Sequence, residues 1–200
     1  MGRVAGLKPE QTRRRVIDGA AEAFADLGYE GARVTDIARA AGLSSGAMYN
    51  HFQSKAELLA AVVEDHACDH LLEWAGSSAS DDSLLDLILE QARQLASEDV
   101  PETPLLIEAV TAARRDPDVL AALSGQVNER EDRFVQVLAL AQSGGDITDD
   151  IDPQAAARFM LMAALGSVLV RAMNLPNIEP DTWNAFVTRL IDGFRPKEIK

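Results

Sequence analysis

A short segment near the amino terminus concentrates residue types that can form hydrogen bonds and bind anions. Residues 45–55, SGAMYNHFQSK, combine small, hydroxyl, amide, aromatic and basic side chains. Small residues let a helix backbone approach base edges, and hydroxyl or amide groups can hydrogen-bond to those edges. Phenol, imidazole and ammonium groups can bind phosphates, which fix the register on the duplex. The candidate base contacts are Ser45, Gly46, Ala47 and Asn50, and the candidate phosphate contacts are Tyr49, His51 and Lys55.

Two short helices around a glycine turn would position this segment. The pattern predicts one helix over residues 34–41 and a second over about 45–52. Gly42 stands between them, where a sharp turn often needs a left-handed residue. Met48 and Phe52 are spaced to point inward, so the polar side chains face outward. The pattern predicts a helix-turn-helix, which places a helix in the major groove. The alternative is a helical hairpin with an ordinary polar surface.

The remainder of the chain also has helical periodicity and almost no strand pattern. Apolar residues recur at helical spacing over about 12–27, where Gly28 is the expected C-terminal cap. We predict an all-α protein of about nine helices, with an N-terminal three-helix head followed by an acidic body. The other predicted helices cover about residues 55–74, 82–96, 104–114, 117–141, 153–173 and 181–194.

Charge separates the two ends of the chain. The formal net charge is −13, which would oppose DNA binding if it were evenly spread, because phosphate contact depends on Lys and Arg. Residues 1–55 carry eight Lys/Arg against six Asp/Glu, whereas the other 145 residues carry eleven against twenty-six. This asymmetry favours a DNA-facing head and an acidic body with a separate role.

The spaced residues of the head carry a family resemblance. Between residues 34 and 58 the chain reads V-x-x-I-A-x-x-A-G-L-S and then M-Y-x-H-F-x-x-K-x-x-L. This pattern resembles the N-terminal domain of the tetracycline-repressor (TetR) family, over about residues 12–62. The resemblance implies a DNA-binding domain at 1–54 and a helical ligand-binding and dimerisation domain at 55–200. The DNA-binding residues that it implies are Ser45, Gly46, Ala47, Tyr49, Asn50, His51 and Lys55, and we add the neighbouring Arg33, Thr35 and Ser44 as candidates.

One position departs from the family pattern. The family usually has Ser or Thr where this chain has Arg33, just before the second helix. A hydroxyl there would cap the helix. Arg33 cannot do so, although it could still reach a phosphate, and Thr35 is the nearest hydroxyl. We therefore keep both residues as candidate DNA contacts.

The last two predicted helices are the expected dimer interface. A strongly apolar helix over about 153–173 has small residues on one face, which let two helices approach closely, and the helix over about 181–194 adds further apolar residues. Two such helices from each subunit would form a four-helix interface around a two-fold axis. The alternative is that both faces are monomer core. The shared face of the first helix holds Ala156, Met160, Ala163, Ala164 and Ser167.

The resemblance implies a ligand-responsive regulator, usually a repressor, that a small molecule releases from a palindromic operator in double-stranded DNA. The effector and its contact residues are not identified from the sequence. Glu108, in an apolar stretch, could bind a cationic ligand or face water. No nucleophile elbow, phosphate loop or zinc motif is present, so we expect no enzyme, catalytic residue or cofactor. An adaptor that acts by protein–protein contact, or a helical enzyme, is the alternative.

Neither metal binding nor membrane insertion is expected. His66 and His70 flank Cys68 at helical spacing, but two ligands do not make a metal site. The acidic run at residues 146–152 lacks the spacing of a calcium loop. The single cysteine fits a reducing compartment, no leader is apparent, and the longest uncharged run, 159–170, is too short to span a bilayer. We therefore expect a cytoplasmic protein.

Overall fold

The described part of the chain is all-helical, as predicted. The computed structural model describes residues 8–66, 83–96 and 103–196, and these ranges contain nine α-helices and no strand. The predicted continuation of the fourth helix to about Trp74 lies outside the described residues. The helices are α1 (Pro9–Gly31), α2 (Val34–Ala40), α3 (Ser45–Tyr49), α4 (Lys55–His66), α5 (Leu84–Gln94), α6 (Thr103–Ala113), α7 (Pro117–Gly144), α8 (Pro153–Ala172) and α9 (Pro180–Asp192).

Contacts divide the described residues into two compact units. The first comprises residues 8–66 and 103–126, and therefore includes α1 to α4, α6 and the start of α7. The second comprises 83–96 and 127–196, with α5, the rest of α7, α8 and α9. The three helices of the head thus pack in one unit with α4 and α6. The functional boundary after residue 54 stays a prediction.

Helix α1 supplies much of the core of the first unit because one of its faces is apolar. The helix begins at Pro9 rather than at about Thr12, and a proline in the first turn loses no hydrogen bond, since its N–H would have no partner there. At Gly28 the backbone leaves helical geometry, with φ 70° and ψ 165°, so that a kink separates the last turn. The buried residues of this face are Val16, Ile17, Ala20, Ala23 and Phe24.

Glycines set the crossing of α1 and α2 and the turn after α2. A Cβ added to Gly19 would lie 2.5 Å from the nitrogen and 2.9 Å from the Cα of Ala41, so only glycine permits this approach. Gly42 has a φ of 65°, which confirms the predicted left-handed residue between the two helices. Together these glycines fix the direction in which the chain enters α3.

Helix α3 is shorter than predicted. It ends at Tyr49, and residues 50–51 form a turn instead of continuing the helix to Phe52. The N–H groups of His51 and Phe52 both donate to the carbonyl of Met48, at 2.9 and 3.1 Å, which tightens the helix end. The inward direction of Met48 and Phe52 is nevertheless as predicted, with 0% and 2% of their surfaces exposed.

The second unit has its own apolar core, formed by α5, the later part of α7, α8 and α9. The indole N–H of Trp183 on α9 donates to the carbonyl of Ala92 on α5, at 3.0 Å. Glu131 on α7 is buried and accepts from Gln154 and Arg158 on α8, at 2.6 and 2.9 Å. The buried core residues are Leu84, Leu85, Ile88, Leu138, Ala141, Ile147, Ala156, Ala157 and Ile191.

Helix α8 is long and apolar enough to cross a membrane by length and composition alone. The sequence expectation considered only the uncharged run at 159–170, which is shorter than the helix. The charged residues near the two ends of α8 bind other parts of the second unit. Arg158 pairs with Glu131 at 2.7 Å, and Arg171 donates to the carbonyl of Leu95 at 3.1 Å. One side of α8 therefore packs against protein.

Candidate nucleic-acid interface

Helix α3 presents a small polar surface because its apolar residue points into the core. The hydroxyl of Ser44 accepts from the N–H of Ala47 at 3.3 Å and caps the start of the helix. Met48 anchors the opposite side, fully buried. Gly46 and Asn50 are exposed, whereas Ser45 and Ala47 are half-buried. The predicted base-contacting residues are thus brought together on and beside one short helix, and their contact with bases stays a prediction.

The side chains expected to bind phosphate at the end of α3 are accessible. Tyr49 has 55% of its surface exposed, and His51 is half-buried beside it. Within the described ranges, the side chains of Tyr49, Asn50 and His51 make no hydrogen bond or ion pair, so all three can accept or donate to a ligand. Their geometry suits contact with a polyanion, and the contact itself remains a prediction.

The start of α2 is capped without a hydroxyl. Arg33 is the N-cap residue, and its backbone N–H donates to the carboxylate of Asp36 at 3.1 Å. The same carboxylate pairs with Arg39 at 3.0 Å. The predicted absence of a side-chain cap from Arg33 is correct, and the sequence analysis missed Asp36, which supplies half of a capping box. The side chains of Arg33 and Thr35 are exposed.

Lys55 is half-buried, and its ammonium is bound within the first unit. Its Nζ donates to the carbonyl of Tyr29 at 2.6 Å and to that of Ala32 at 3.3 Å. It also lies 4.2 Å from the centroid of the Tyr29 ring. The structure therefore joins Lys55 to the end of α1, an interaction that the local sequence pattern does not indicate.

Every polar group of Tyr29 has a partner in the first unit. Its N–H donates to Glu108 Oε1 at 2.5 Å, and its hydroxyl donates to Asp116 at 3.1 Å. Burial, followed by the hydrogen bond to Asp116, raises the pKa of Tyr29. Although burial acts to raise it, the pKa of Asp116 is lowered by the N–H groups of Asp118 and Val119 and by the Tyr29 hydroxyl. The Glu108 carboxylate is therefore half-buried and hydrogen-bonded within the first unit, and it is not an unpaired group facing water or a cationic ligand.

Arg13 is a possible DNA contact that the sequence analysis missed. Its guanidinium lies 5.3 Å from the centroid of the Phe52 ring, next to the turn that follows α3. The side chain is exposed, and no described acidic residue pairs with it. Arg14, in contrast, pairs with Asp18 at 3.0 Å and with Asp65 at 2.7 Å. The run Arg13-Arg14-Arg15 is the sequence signal for it, but the pattern alone does not show that Arg14 is paired or that Arg13 lies beside Phe52.

The other sequence candidates do not form a second site in the described residues. The side chain of His66, together with Cys68 and His70, lies outside them. In the acidic run, Asp152 accepts from the N–H of Ala155 at 2.7 Å and caps α8. No group of three metal-ligating side chains occurs in the part of the chain that the structure describes.

Comparison with known proteins identifies the relatives of this chain. Residues 16–62 match the family model of bacterial regulatory proteins of the tetR family. The A-factor receptor protein of Streptomyces griseus is 30% identical over 162 residues, which are 80% of this chain but only 55% of that protein. The regulator UidR of Escherichia coli K12 is 26% identical over 157 residues, covering 78% of this chain and 80% of UidR.

The fold is similar to solved structures over nearly its whole length. GusR of Salmonella enterica has a TM-score of 0.71 and 26% sequence identity, covering 93% of this chain and 98% of GusR. The matched segment at 16–62 contains α2, α3 and most of the buried face of α1, which is the part that forms the candidate interface. The chain therefore belongs to the tetR family of bacterial transcriptional regulators.

Proposed function

We propose that this protein is a homodimeric repressor that places α3 of each subunit in the major groove of a palindromic operator. The observation that carries the proposal is the exposed surface of α3, backed by the buried Met48 and followed by the accessible side chains of Tyr49, Asn50 and His51. In such a dimer the two recognition helices are separated by one turn of DNA, about 34–36 Å. The family relation points to a regulator and not to an enzyme.

The proposed contacts divide by chemistry. Ser45, Gly46, Ala47 and Asn50 approach base edges, because small residues permit the approach and the hydroxyl and amide can hydrogen-bond there. Accessible polar and basic groups around these base-contacting residues bind phosphates, and the phosphate contacts set the register on the duplex. Ser44 contributes by capping α3, with its hydroxyl at the exposed helix start. The proposed phosphate contacts are Arg33, Thr35, Tyr49 and His51, and Lys55 is considered separately below.

An apolar stripe on α8 supports the dimer. Large side chains are left uncovered along the helix and at its C-cap residue, with exposed fractions of 49% for Phe159, 61% for Met162, 52% for Leu169 and 69% for Met173. A contiguous apolar surface of this kind marks an interaction site. The stripe differs from the predicted small-residue face, because Ala156 is buried in the core of its own subunit.

Helix α9 extends the same proposal. Phe186 and Leu190, one turn apart, have exposed fractions of 60% and 39%. We propose that α8 and α9 pair with the same helices of a second copy and form a four-helix interface. The alternative occupant of the α8 stripe is a lipid bilayer. Because the family consists of soluble DNA-binding regulators, we propose the protein partner and a cytoplasmic location.

We further propose that a small-molecule effector lowers operator affinity. A ligand can shift a conformational equilibrium only by binding one state more tightly than the other. The contacts of Glu108 and Asp116 with Tyr29 support this idea, because they link α6 and the start of α7 to the end of α1 within the first unit. A displacement of α6 would therefore act directly on α1, against which α2 and α3 pack.

Selection of bound duplexes from a random DNA pool tests the function. We expect an enriched palindrome whose half-sites are separated by about 10 base pairs or a multiple, as the docking of a two-fold dimer requires. Affinity for that duplex should fall steeply as salt increases, because phosphate contacts release counterions. A pool with no enriched sequence would contradict the proposal and favour the protein–protein adaptor.

A further inference from the structure

The Nζ of Lys55 is fully engaged inside the first unit. It donates to the carbonyls of Tyr29 and Ala32 at 2.6 and 3.3 Å, and it lies over the Tyr29 ring at 4.2 Å. An ammonium group has three N–H donors, so two carbonyls and a ring face use its bonding capacity. The residue is half-buried, as His51 is, so the bonds of its ammonium and not its exposure distinguish it from the candidate phosphate contacts.

We infer that Lys55 is a positioning residue that holds α4 and the end of α3 against α1, and that it is not a phosphate ligand. The inference rests on the proposed function, since it concerns how the recognition helix is oriented for DNA. Lys55 is the first residue of α4 and follows α3 by only a short turn. Its bonds to the last turn of α1 therefore restrain the segment that α3 must present to the groove.

The carbonyls that Lys55 binds have few other partners. The last carbonyls of a helix accept no hydrogen bond from an N–H of the same helix, and they carry partial negative charge that favours a cation. Both Tyr29 and Ala32 are buried, so removal of the ammonium would leave part-buried carbonyls without their charged donor. Leaving a buried acceptor unsatisfied is costly, which opposes rotation of Lys55 toward a phosphate.

One carboxylate beside Tyr29 also attracts the ammonium, and a second carboxylate binds the same tyrosine. Asp116 accepts from the Tyr29 hydroxyl and interacts electrostatically with Lys55, and Glu108 accepts from the N–H of the same tyrosine. The negative potential around Tyr29 favours a cation at this position with or without DNA. A lysine that binds a DNA phosphate would instead be expected at a position where no carbonyl or carboxylate of the protein binds its ammonium group.

The dependence of operator affinity on salt separates the two roles. The full-length wild type is compared with Lys55→Gln, which keeps a hydrogen-bond donor without the charge, and with Lys55→Met, which keeps only the aliphatic stem. If Lys55 is a positioning residue, Lys55→Met raises the operator Kd about tenfold at every salt concentration, and Lys55→Gln raises it less. The slope of log K against log[salt] then stays at its wild-type value in both variants.

A phosphate role gives a different result. Each dimer would lose two phosphate contacts, so the magnitude of the slope would fall by about 1.8 in both variants. That change, or an affinity equal to that of the wild type in Lys55→Met, would overturn the inference. Thermal unfolding without DNA adds a second measurement, in which positioning predicts a lower Tm for Lys55→Met than for Lys55→Gln and equal Tm values contradict it.

Failure of the proposed function would be recognised separately. If the wild type selects no duplex from the pool, the proposed function fails. The positioning role of Lys55 is then tested only by comparing the Tm values of Lys55→Met and Lys55→Gln. If Lys55→Met is too unstable for DNA measurements, Lys55→Gln still decides, because it lacks the charge that a phosphate contact needs. An unchanged slope supports the positioning role, and a reduced slope refutes it.

Discussion

The Oε1 atom of Glu108 lies 2.5 Å from the backbone nitrogen of Tyr29, and it would lie 3.2 Å from a Cβ added to Gly28. This contact joins α6 to the kink of α1 across a sequence separation of 79 residues. The left-handed φ of Gly28 directs the next N–H out of the helix, where the carboxylate accepts it. The kink that ends the first long stretch of α1 is thus held by a side chain from a distant helix.

Removal of the Glu108 carboxylate should destabilise the first unit. A hydrogen bond to a charged group contributes about 1.5–3 kcal/mol, so we expect Glu108→Ala to lower the free energy of unfolding by about 2 kcal/mol. Glu108→Gln keeps an acceptor oxygen and should lose less. Urea unfolding measures both variants. Glu22→Ala, at an exposed position of α1, is the matched control, and an equal effect of Glu22→Ala and Glu108→Ala would contradict the role of the contact.

Close packing of α1 against α2 should make Gly19 intolerant of a side chain. The Cβ of alanine would lie 2.5 Å from a backbone nitrogen, and overpacking of this kind costs about 1–3 kcal/mol. Gly125 on α7 offers the matched control, because a Cβ there meets no atom within 4 Å. We expect Gly125→Ala to raise Tm slightly through its higher helix propensity and Gly19→Ala to lower it. Equal shifts of the same sign would contradict the close approach.

The local and the distant parts of this arrangement differ in how far the sequence could predict them. Met48, Phe52 and Gly42 were assigned correctly because helical spacing and turn geometry are local properties of the chain. The length of α3 was not predicted correctly, since a turn at residues 50–51, beside the buried Phe52, ends the helix early. The partners of Tyr29 could not be predicted either, because no periodicity relates α1 to residues of α4 and α6 that reach it only after folding.

Asp116 should make stability depend on pH in the acid range. Its folded pKa is lowered, so its contribution is present above the unfolded value of about 3.9 and is lost as the pH falls through the folded value. Asp116→Asn can still accept from the N–H groups of Asp118 and Val119 but carries no charge. We therefore expect the variant to lose less stability than the wild type between neutral pH and about pH 3. Chemical unfolding at several pH values tests this, with Asp132→Asn as the control.

Arg13 should contribute to DNA binding through the phosphate backbone. It lies over Phe52 beside the recognition segment and has no acidic partner among the described residues. Arg13→Gln should weaken operator binding and reduce the magnitude of the salt slope by about 1.8 for two subunits. Arg133→Gln, an exposed arginine of α7 in the second unit, should leave both quantities unchanged. Equal slopes for Arg13→Gln and the wild type would remove Arg13 from the interface.

The apolar stripe on α8 should be required for dimer formation. Phe159→Glu and Met173→Glu place a charge where we propose that a second copy packs, and burying an unpaired charge is strongly unfavourable. We expect each variant to sediment as a monomer and to lose operator affinity, because only a dimer contacts both half-sites at once. Leu140→Glu is the matched control, since Leu140 is 71% exposed but lies on α7 outside the stripe. A dimer that survives Phe159→Glu and Met173→Glu together would exclude this face as the interface.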